Sequence, residues 1–306
     1  CEKGQELFQF IGQNCGTPDA PQSTGNRVFR DFLPRPCFNV LEGGRHAGNA
    51  LEIQEFMAVP FLESFKENLR AASEIYYHLK MMLIKNFGDL AMNTGYESGF
   101  APPLKKTEQA LDFLEQAINK AGYYSQTTIG LDVAASELFY KGQYRLNGEL
   151  QKPKKILDYY EKICLKHPMI FLEDPFSEDD EASWQEFHAK LKTQSSKLLI
   201  VGDDLTVTNP DRIQQAKDKG LCEGVIIKLN QIGTVSQTID AVNLAKSFDW
   251  KVIVSNRSGE TNDDFIADFA VGVGADFIKA GAPAGGERVA KYNRLLEIEK
   301  ILNSKL

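Results

Sequence analysis

Leu198-Leu-Ile-Val-Gly-Asp-Asp-Leu-Thr-Val-Thr-Asn-Pro210 decides how the chain is read. The unbroken apolar run from Leu198 to Val201 marks a strand buried on both faces, and Asn209-Pro210 is a helix start. Between them, where the strand stops, stand Asp203 and Asp204. The same pattern occurs upstream in Thr127-Thr-Ile-Gly-Leu-Asp132 and in Ile170-Phe-Leu-Glu-Asp-Pro-Phe176, each an apolar run closing on a carboxylate. If the three strands are parallel neighbours, Asp132, Glu173 and Asp203 converge at one face of a sheet or barrel. They would then form a set of hard oxygen ligands suited to Mg²⁺.

Outward from this stretch the chain alternates. Strands closing on Asp132, Glu173, Asp203, Lys228, Ser255 and Lys279 are followed by helices over Pro153 to Lys166, Glu181 to Lys192, Pro210 to Lys219, Thr234 to Ser247, Asp263 to Val273 and Glu287 to Leu302. Strict strand-then-helix order means parallel strands with right-handed crossovers. Ahead of them, Pro36-Cys-Phe-Asn-Val40 and the run Leu51 to Pro60 are separated by a short Gly-rich loop, which predicts an antiparallel pair. Two helices follow: Ser64 to Phe87, apolar at Leu69, Ala72, Ile75, Tyr76, Leu79, Met82 and Leu83, and Thr107 to Ala121, with Thr107 as N-cap and Gly122 as stop. A hairpin, two helices and six strand–helix units fit a closed eight-stranded α/β barrel of the TIM type, ββαα(βα)6, better than an open sheet. Residues 1–33 read as a short helix around Glu6 to Ile11 and an exposed connector, a remnant of a further N-terminal domain, with the catalytic barrel over 34–306. The chain begins at Cys1 without Met, so sequence is expected upstream.

Composition narrows the function classes. Among 306 residues, 35 basic and 42 acidic side chains give a net charge of −7, which argues against a nucleic-acid surface. No apolar run is long enough to span a membrane and no signal-peptide pattern opens the chain, so a cytoplasmic protein with no membrane partner is expected. Cys1, Cys15, Cys37, Cys164 and Cys222 are scattered without a CxxC pair, as reduced thiols would be. His78, His167 and His188 are expected on solvated helices or turns, and Tyr76-Tyr77, Met81-Met82 and Phe265-Ile266 in core packing.

The strand ends carry Glu55, Asp132, Glu173, Asp203, Lys228, the segment Ser255-Asn-Arg-Ser-Gly-Glu260, and Lys279. One charged strand end is usually a solvated edge. Lys228 and Lys279, however, follow Val-Ile-Ile and Asp-Phe-Ile, where burial demands partners. Carboxylates with a divalent metal opposite two lysines suit removal of a proton next to a carboxylate. The dianion so formed needs metal on its oxygens and a basic Lys aimed at the carbon.

Eight segments in order carry a family likeness: Phe38-Asn-Val-Leu-Glu-Gly-Gly-Arg-His-Ala-Gly-Asn49, Gln54-Glu-Phe56, Leu131-Asp-Val-Ala-Ala-Ser136, Glu173-Asp-Pro-Phe176, Gly202-Asp-Asp-Leu-Thr-Val-Thr-Asn-Pro210, Lys228-Leu-Asn-Gln-Ile-Gly233, Arg257-Ser-Gly-Glu260 and Ile278-Lys-Ala-Gly-Ala-Pro283. From about Pro34 onward the chain resembles the enolases, phosphopyruvate hydratases whose superfamily pairs a Lys or His base with Mg²⁺. The resemblance implies that Asp132, Glu173 and Asp203 hold Mg²⁺ and that Lys228 removes the C2 proton of 2-phosphoglycerate. Glu97, helped by Glu55, protonates the departing hydroxyl, which yields phosphoenolpyruvate in glycolysis. Lys279 meets the substrate carboxylate and Arg257 and Ser258 its phosphate, while Gln54, Asn256 and His46, the last on a mobile loop, line the pocket. A homodimer and a further N-terminal domain with a metal-binding serine loop are also implied.

Three positions depart from the family's pattern. Asn256 replaces a His, Tyr96 and Ser98 flank Glu97 in place of Asp and Gly, and Arg45 replaces a Ser. They motivate an alternative expectation, an enolase-like protein impaired in catalysis with a structural or interaction role and protein partners. Another superfamily lyase acting on a different acid is disfavoured by the Arg257-Ser258 pair.

Overall fold

The computed structural model describes residues 5–15, 33–193 and 197–304. Eight strands close into a barrel: β1 (Arg35–Glu42), β2 (Glu55–Pro60), β3 (Thr127–Asp132), and then, past a small sheet of β4 (Phe139–Tyr140), β5 (Gln143–Leu146) and β6 (Glu149–Gln151), β7 (Met169–Glu173), β8 (Leu199–Gly202), β9 (Gly224–Ile227), β10 (Lys251–Ser255) and β11 (Phe277–Lys279). Around the barrel the order is β1, β11, β10, β9, β8, β7, β3, β2. Only β2 runs antiparallel to its neighbours β1 and β3. The expected ββαα(βα)6 order is therefore present. Its helices are α1 (Leu7–Asn14) ahead of the barrel, α2 (Phe65–Phe87), α3 (Thr107–Ala121), α4 (Pro153–Lys166), α5 (Glu181–Thr193), α6 (Pro210–Lys219), α7 (Leu229–Ile232), α8 (Val235–Ser247), α9 (Phe265–Gly272) and α10 (Gly286–Ser304).

Two apolar layers hold the barrel. Inside it Cys37, Met57, Val59, Phe171, Val201, Ile226, Ile253 and Phe277 form a cluster of their own. The larger cluster joins the outer strand faces to the helices, for example Val40, Leu131 and Val252 with Ile75, Leu114 and Leu295. Alternation along each strand thus feeds two cores, which is why the strands read as continuous apolar runs. Gly130 marks a tight point of the interior. It pairs with Phe171 across β3 and β7, and a Cβ there would run into the Phe171 ring.

Several boundaries differ from the sequence expectation for physical reasons. The strand expected from Leu51 begins only at Glu55, because Leu51 and Ile53 pack under the Gly43 turn and the Leu51 carbonyl accepts the Gly44 N–H at 2.7 Å. Thr107 is the first helical residue rather than the cap; Lys106 takes the cap position and offers no side-chain bond. The Thr107 N–H instead meets Asn147 Oδ1 at 3.3 Å. Asn147 belongs to the small β4–β6 sheet, which the sequence reading left without strands. Its two turns, Lys141-Gly142 and Asn147-Gly148, have positive φ at both central residues, the requirement of tight primed hairpin turns. His167 and His188 are buried rather than solvated. His167 Nδ1 lies 3.1 Å from Glu115, and His188 Nδ1 is 2.8 Å from the Gly220 carbonyl. Tyr77 and Met81, expected in the core, are exposed, as they point away from the buried stripe of α2.

Helix α1 docks on the barrel through Asp268 of α9, which accepts the Phe8 N–H at 3.2 Å and pairs with Arg294 at 2.7 Å. Arg294 also reaches Glu6 at 3.0 Å. The connector expected beyond α1 lies outside the described residues. No helix among the described residues is long and apolar enough to cross a membrane.

Gly130→Ala should destabilise the protein by about 1–3 kcal/mol through overpacking. Urea denaturation of that variant beside the double variant Gly130→Ala/Phe171→Leu checks the cause, since relief of the clash makes the pair less destabilised than the sum of the singles.

Candidate active site

The barrel lays its acids side by side. Glu42 pairs in register with Glu55, Glu55 with Asp132, and Asp132 with Glu173, so four adjacent strands present a row of carboxylates at one mouth. Glu55 belongs to this row because β2 runs backwards: its first residue lies level with the last residues of its neighbours. Asp203 follows β8, Lys228 follows β9, Asn256 and Arg257 follow β10, and Lys279 closes β11. Glu55, Asp132, Asp203, Lys228, Asn256, Arg257 and Lys279, with His46, Gln54, Glu97, Asp174, Asp204 and Ser258, line a cavity of about 310 Å³; Glu42 and Glu173 are fully buried and do not line it.

Lys279 ties the row together. Its Nζ lies 2.8 Å from Glu173, 3.1 Å from Glu55 and 3.3 Å from Asp132. Burial pulls this amine down, but the charges of Glu173, Glu55 and Asp132 outweigh it and hold the ammonium well above its ordinary range. Across the mouth, Lys228 pairs with Asp203. Burial acts against the Lys228 charge too, yet Asp203 pushes it up to about 12. Asp203 is correspondingly held low despite its burial, by Lys228 and then Lys279.

The remaining acids are under-compensated. Burial, then Glu97, raises Glu55; burial, then Asp132, raises Glu173; burial, then Asp203, pushes Asp204 up to about 6. Among the described residues Glu55 Oε2 is met by the Lys279 ammonium alone, which Glu173 and Asp132 share. Excess buried negative charge on oxygen donors fits a hard divalent cation such as Mg²⁺. Of the expected ligands, Asp132 and Glu173 meet at Lys279, whereas the nearest grouping of Asp203 is with Asp174 and Asp204, whose oxygens lie within 4.8 Å of one another. His46, Glu55 and Glu97 form a second such group at the mouth. A third, Asp112, Glu115 and His167, sits away from the mouth between α3 and the end of α4. Its charges are already answered, with Lys166 2.8 Å from Asp112 and His167 beside Glu115.

Glu97 enters from the loop before α3. Its carboxylate accepts from Asn39 Nδ2 at 3.4 Å and Asn256 Nδ2 at 3.3 Å. Asn256 also donates to the Arg257 carbonyl at 3.0 Å, and its buried Oδ1 has no partner. His46 Nδ1 is 3.5 Å from Glu55, and burial lowers the pKa of its ring. Gln54 donates to Asp132 at 3.4 Å. Arg257 is exposed and donates to Asn230 at 2.9 Å. Arg45 does not leave a free charge at the mouth, since Glu137 answers it at 2.7 Å.

Three residues that sequence reasoning passed over organise the site. Asp174, in left-handed backbone with φ 43°, accepts the Asp203 and Asp204 N–H groups at 2.9 and 2.7 Å and sets the strand end after β8. Its signal was the acid pair Glu173-Asp174 itself. Arg288 of α10 donates to the carbonyls of Tyr96, Arg257 and Ser258 at 2.7–2.8 Å, and no motif marks it. Glu42 is the buried fourth acid of the row.

A ββαα(βα)6 barrel whose mouth opposes ammonium groups to a carboxylate row has the build of an enolase-like lyase. Residues 30–306 match the family described as enolase, C-terminal TIM barrel domain. The chain is 46% identical over 297 residues to a protein named enolase from Sulfurisphaera tokodaii, and 45% identical over 300 residues to one of the same name from Aeropyrum pernix. Each alignment covers 97% of this chain and, respectively, 67% and 66% of the relative, so the chain spans about two thirds of their length. The chain belongs to the enolase family and carries its C-terminal TIM barrel domain.

Lys279→Met removes the one ammonium shared by three buried carboxylates and should cost about 3–5 kcal/mol at neutral pH. The deficit should shrink in acid, where the carboxyls protonate; chemical denaturation at two pH values reads both effects. Glu42 gives a second pH signature. Burial, then Glu97, pushes its carboxyl from 4.5 up to about 8, so within that window the folded protein keeps a proton the unfolded chain has lost. Its contribution therefore lowers stability as pH rises, by up to about 1.4 kcal/mol per pH unit. Glu42→Gln should flatten that part of the profile.

Proposed function

We propose that the full protein dehydrates 2-phosphoglycerate to phosphoenolpyruvate with Mg²⁺. The observation that carries this reading is the opposition of Lys228, on one side of the mouth, to Glu97 and Glu55 on the other, above a buried carboxylate row. In this reading Lys228, as the neutral amine, takes the C2 proton, and the electron pair of that C–H bond moves toward the substrate carboxylate. Collapse of that pair to a C2–C3 double bond breaks the C3–O bond, and the hydroxyl leaves as water with a proton from Glu97, which Glu55 assists. Lys279 faces the substrate carboxylate as a fixed positive charge, and Arg257 with Ser258 receives the phosphate, for which a guanidinium fork is suited. His46, Gln54 and Asn256 fill the walls. Asp132, Glu173 and Asp203 would hold Mg²⁺, which, when bound, supplies charge stabilisation for the dianionic intermediate. For Lys228 to act as a base, its pairing with Asp203 must loosen, because that pairing is what keeps the amine charged. On the resemblance, the protein is read as a cytoplasmic homodimer.

One observation favours a second reading, an enolase-like protein impaired in catalysis. Asn256 sits buried against Glu97 and cannot carry a proton, so this wall of the pocket holds no imidazole.

Absorbance of phosphoenolpyruvate formed by the full-length protein with Mg²⁺ separates the two. Turnover that falls about 10²–10⁴-fold in Lys228→Ala is the expected result. No turnover in the native protein, with gain in Asn256→His, would establish the impaired reading instead.

A further inference from the structure

Glu42 has no role in the chemistry above, yet it is completely buried at the end of β1. Its Oε1 accepts the Gly99 N–H at 2.6 Å and the Glu97 N–H at 3.1 Å, and its Oε2 lies 3.2 Å from the same Glu97 N–H. The segment from Gly95 to Gly99 wraps closely around this carboxylate. A Cβ at either glycine would strike it.

The same turn is under strain and is held from other sides. Ser98 has φ 66°, a left-handed conformation unfavourable for a residue with a side chain. Tyr76 Oη donates to the Ser98 carbonyl at 2.6 Å, and Ala282 N–H to the Glu97 carbonyl at 2.9 Å. Phe100 N–H donates to the Val40 carbonyl, and Glu42 N–H to the Phe100 carbonyl, both at 2.9 Å. Among the described residues the Glu97 carboxylate, by contrast, has only two long side-chain bonds, at 3.3 and 3.4 Å. Its place at the mouth is therefore set mainly by its backbone, whose buried N–H groups at Glu97 and Gly99 end on the Glu42 carboxyl oxygens at 2.6–3.2 Å, bonds that are costly to leave unmade.

We propose that Glu42 is a positioning residue: its carboxyl oxygens clamp the Gly95–Gly99 turn and thereby fix Glu97 at the barrel mouth. The proposal rests on the role given to Glu97 above. His46, 3.8 Å away, and Glu55, Arg288, Tyr76 and Glu97 are the ionisable groups that face Glu42 among the described residues. None of them can replace it as an acceptor for two buried N–H groups, whose desolvation would otherwise go uncompensated.

The test uses full-length, Mg²⁺-saturated protein. Glu42→Ala should lower kcat about 100-fold, the loss a misplaced catalytic group produces, with KM for 2-phosphoglycerate nearly unchanged. Glu42→Gln, which keeps one oxygen acceptor, should recover at least part of that loss. Amide hydrogen exchange should speed up in residues 93–100 of Glu42→Ala while β3 and β7 keep their protection. Unchanged exchange in that segment overturns the clamp, whatever the kinetics. A loss of protection spread over the whole barrel overturns it as well, because Glu42 would then be a structural residue only. If the native protein itself shows no turnover, the hydratase reading falls, and the exchange result still decides the clamp.

Discussion

The site depends on one buried ammonium. Lys279 stands where β1, β10 and β11 meet in register, opposite the acids of β2, β3 and β7, and it contacts three carboxylates at once. Without it, strands that the apolar core brings together would carry like charges into each other at low dielectric. With it, acids that could not share a barrel otherwise become a built feature. The interior apolar cluster lies just beneath, so the charge layer rests on a packed floor rather than on water.

Above that layer the geometry is set largely by backbone bonds to acids. Asp174 takes two N–H groups at the end of β8, Asp132 takes the Ala134 N–H at 3.0 Å, and Glu42 takes those of Glu97 and Gly99. Each such acid orders a loop at the mouth by accepting its backbone N–H groups. That order fixes where the side chains of the mouth point. Buried acids thus serve as structural acceptors for the loops that form the walls.

Most of the barrel could be read from the chain because apolar runs and helix starts coincide. Thr127–Asp132, Pro153–Lys166, Pro210–Lys219 and Lys251–Ser255 fall where periodicity and caps put them. Strand ends exposed the acids and lysines in the same way. What escaped was decided in three dimensions. Arg288 looks like a surface helix residue until the loops carrying Tyr96 and Arg257 fold back over it. His167 caps the end of α4 and His188 lies within α5, positions whose burial depends on the neighbouring elements. The Asn147-Gly148 turn was legible, but its flanking strands are too short to show alternation. Glu42 lay inside a motif read for its glycines and His46.

Arg288 also gives the molecule a temporal order. It lies near the end of the chain, on the last helix, yet it is the common donor to the carbonyls of Tyr96, Arg257 and Ser258. β11, next to last in sequence, is likewise the strand that closes the barrel onto β1. On a ribosome, therefore, seven barrel strands emerge, with Glu55, Asp132 and Glu173 unanswered, before Lys279 arrives, and the two walls of the pocket join only when α10 is released. The pocket is the last part of the domain to exist.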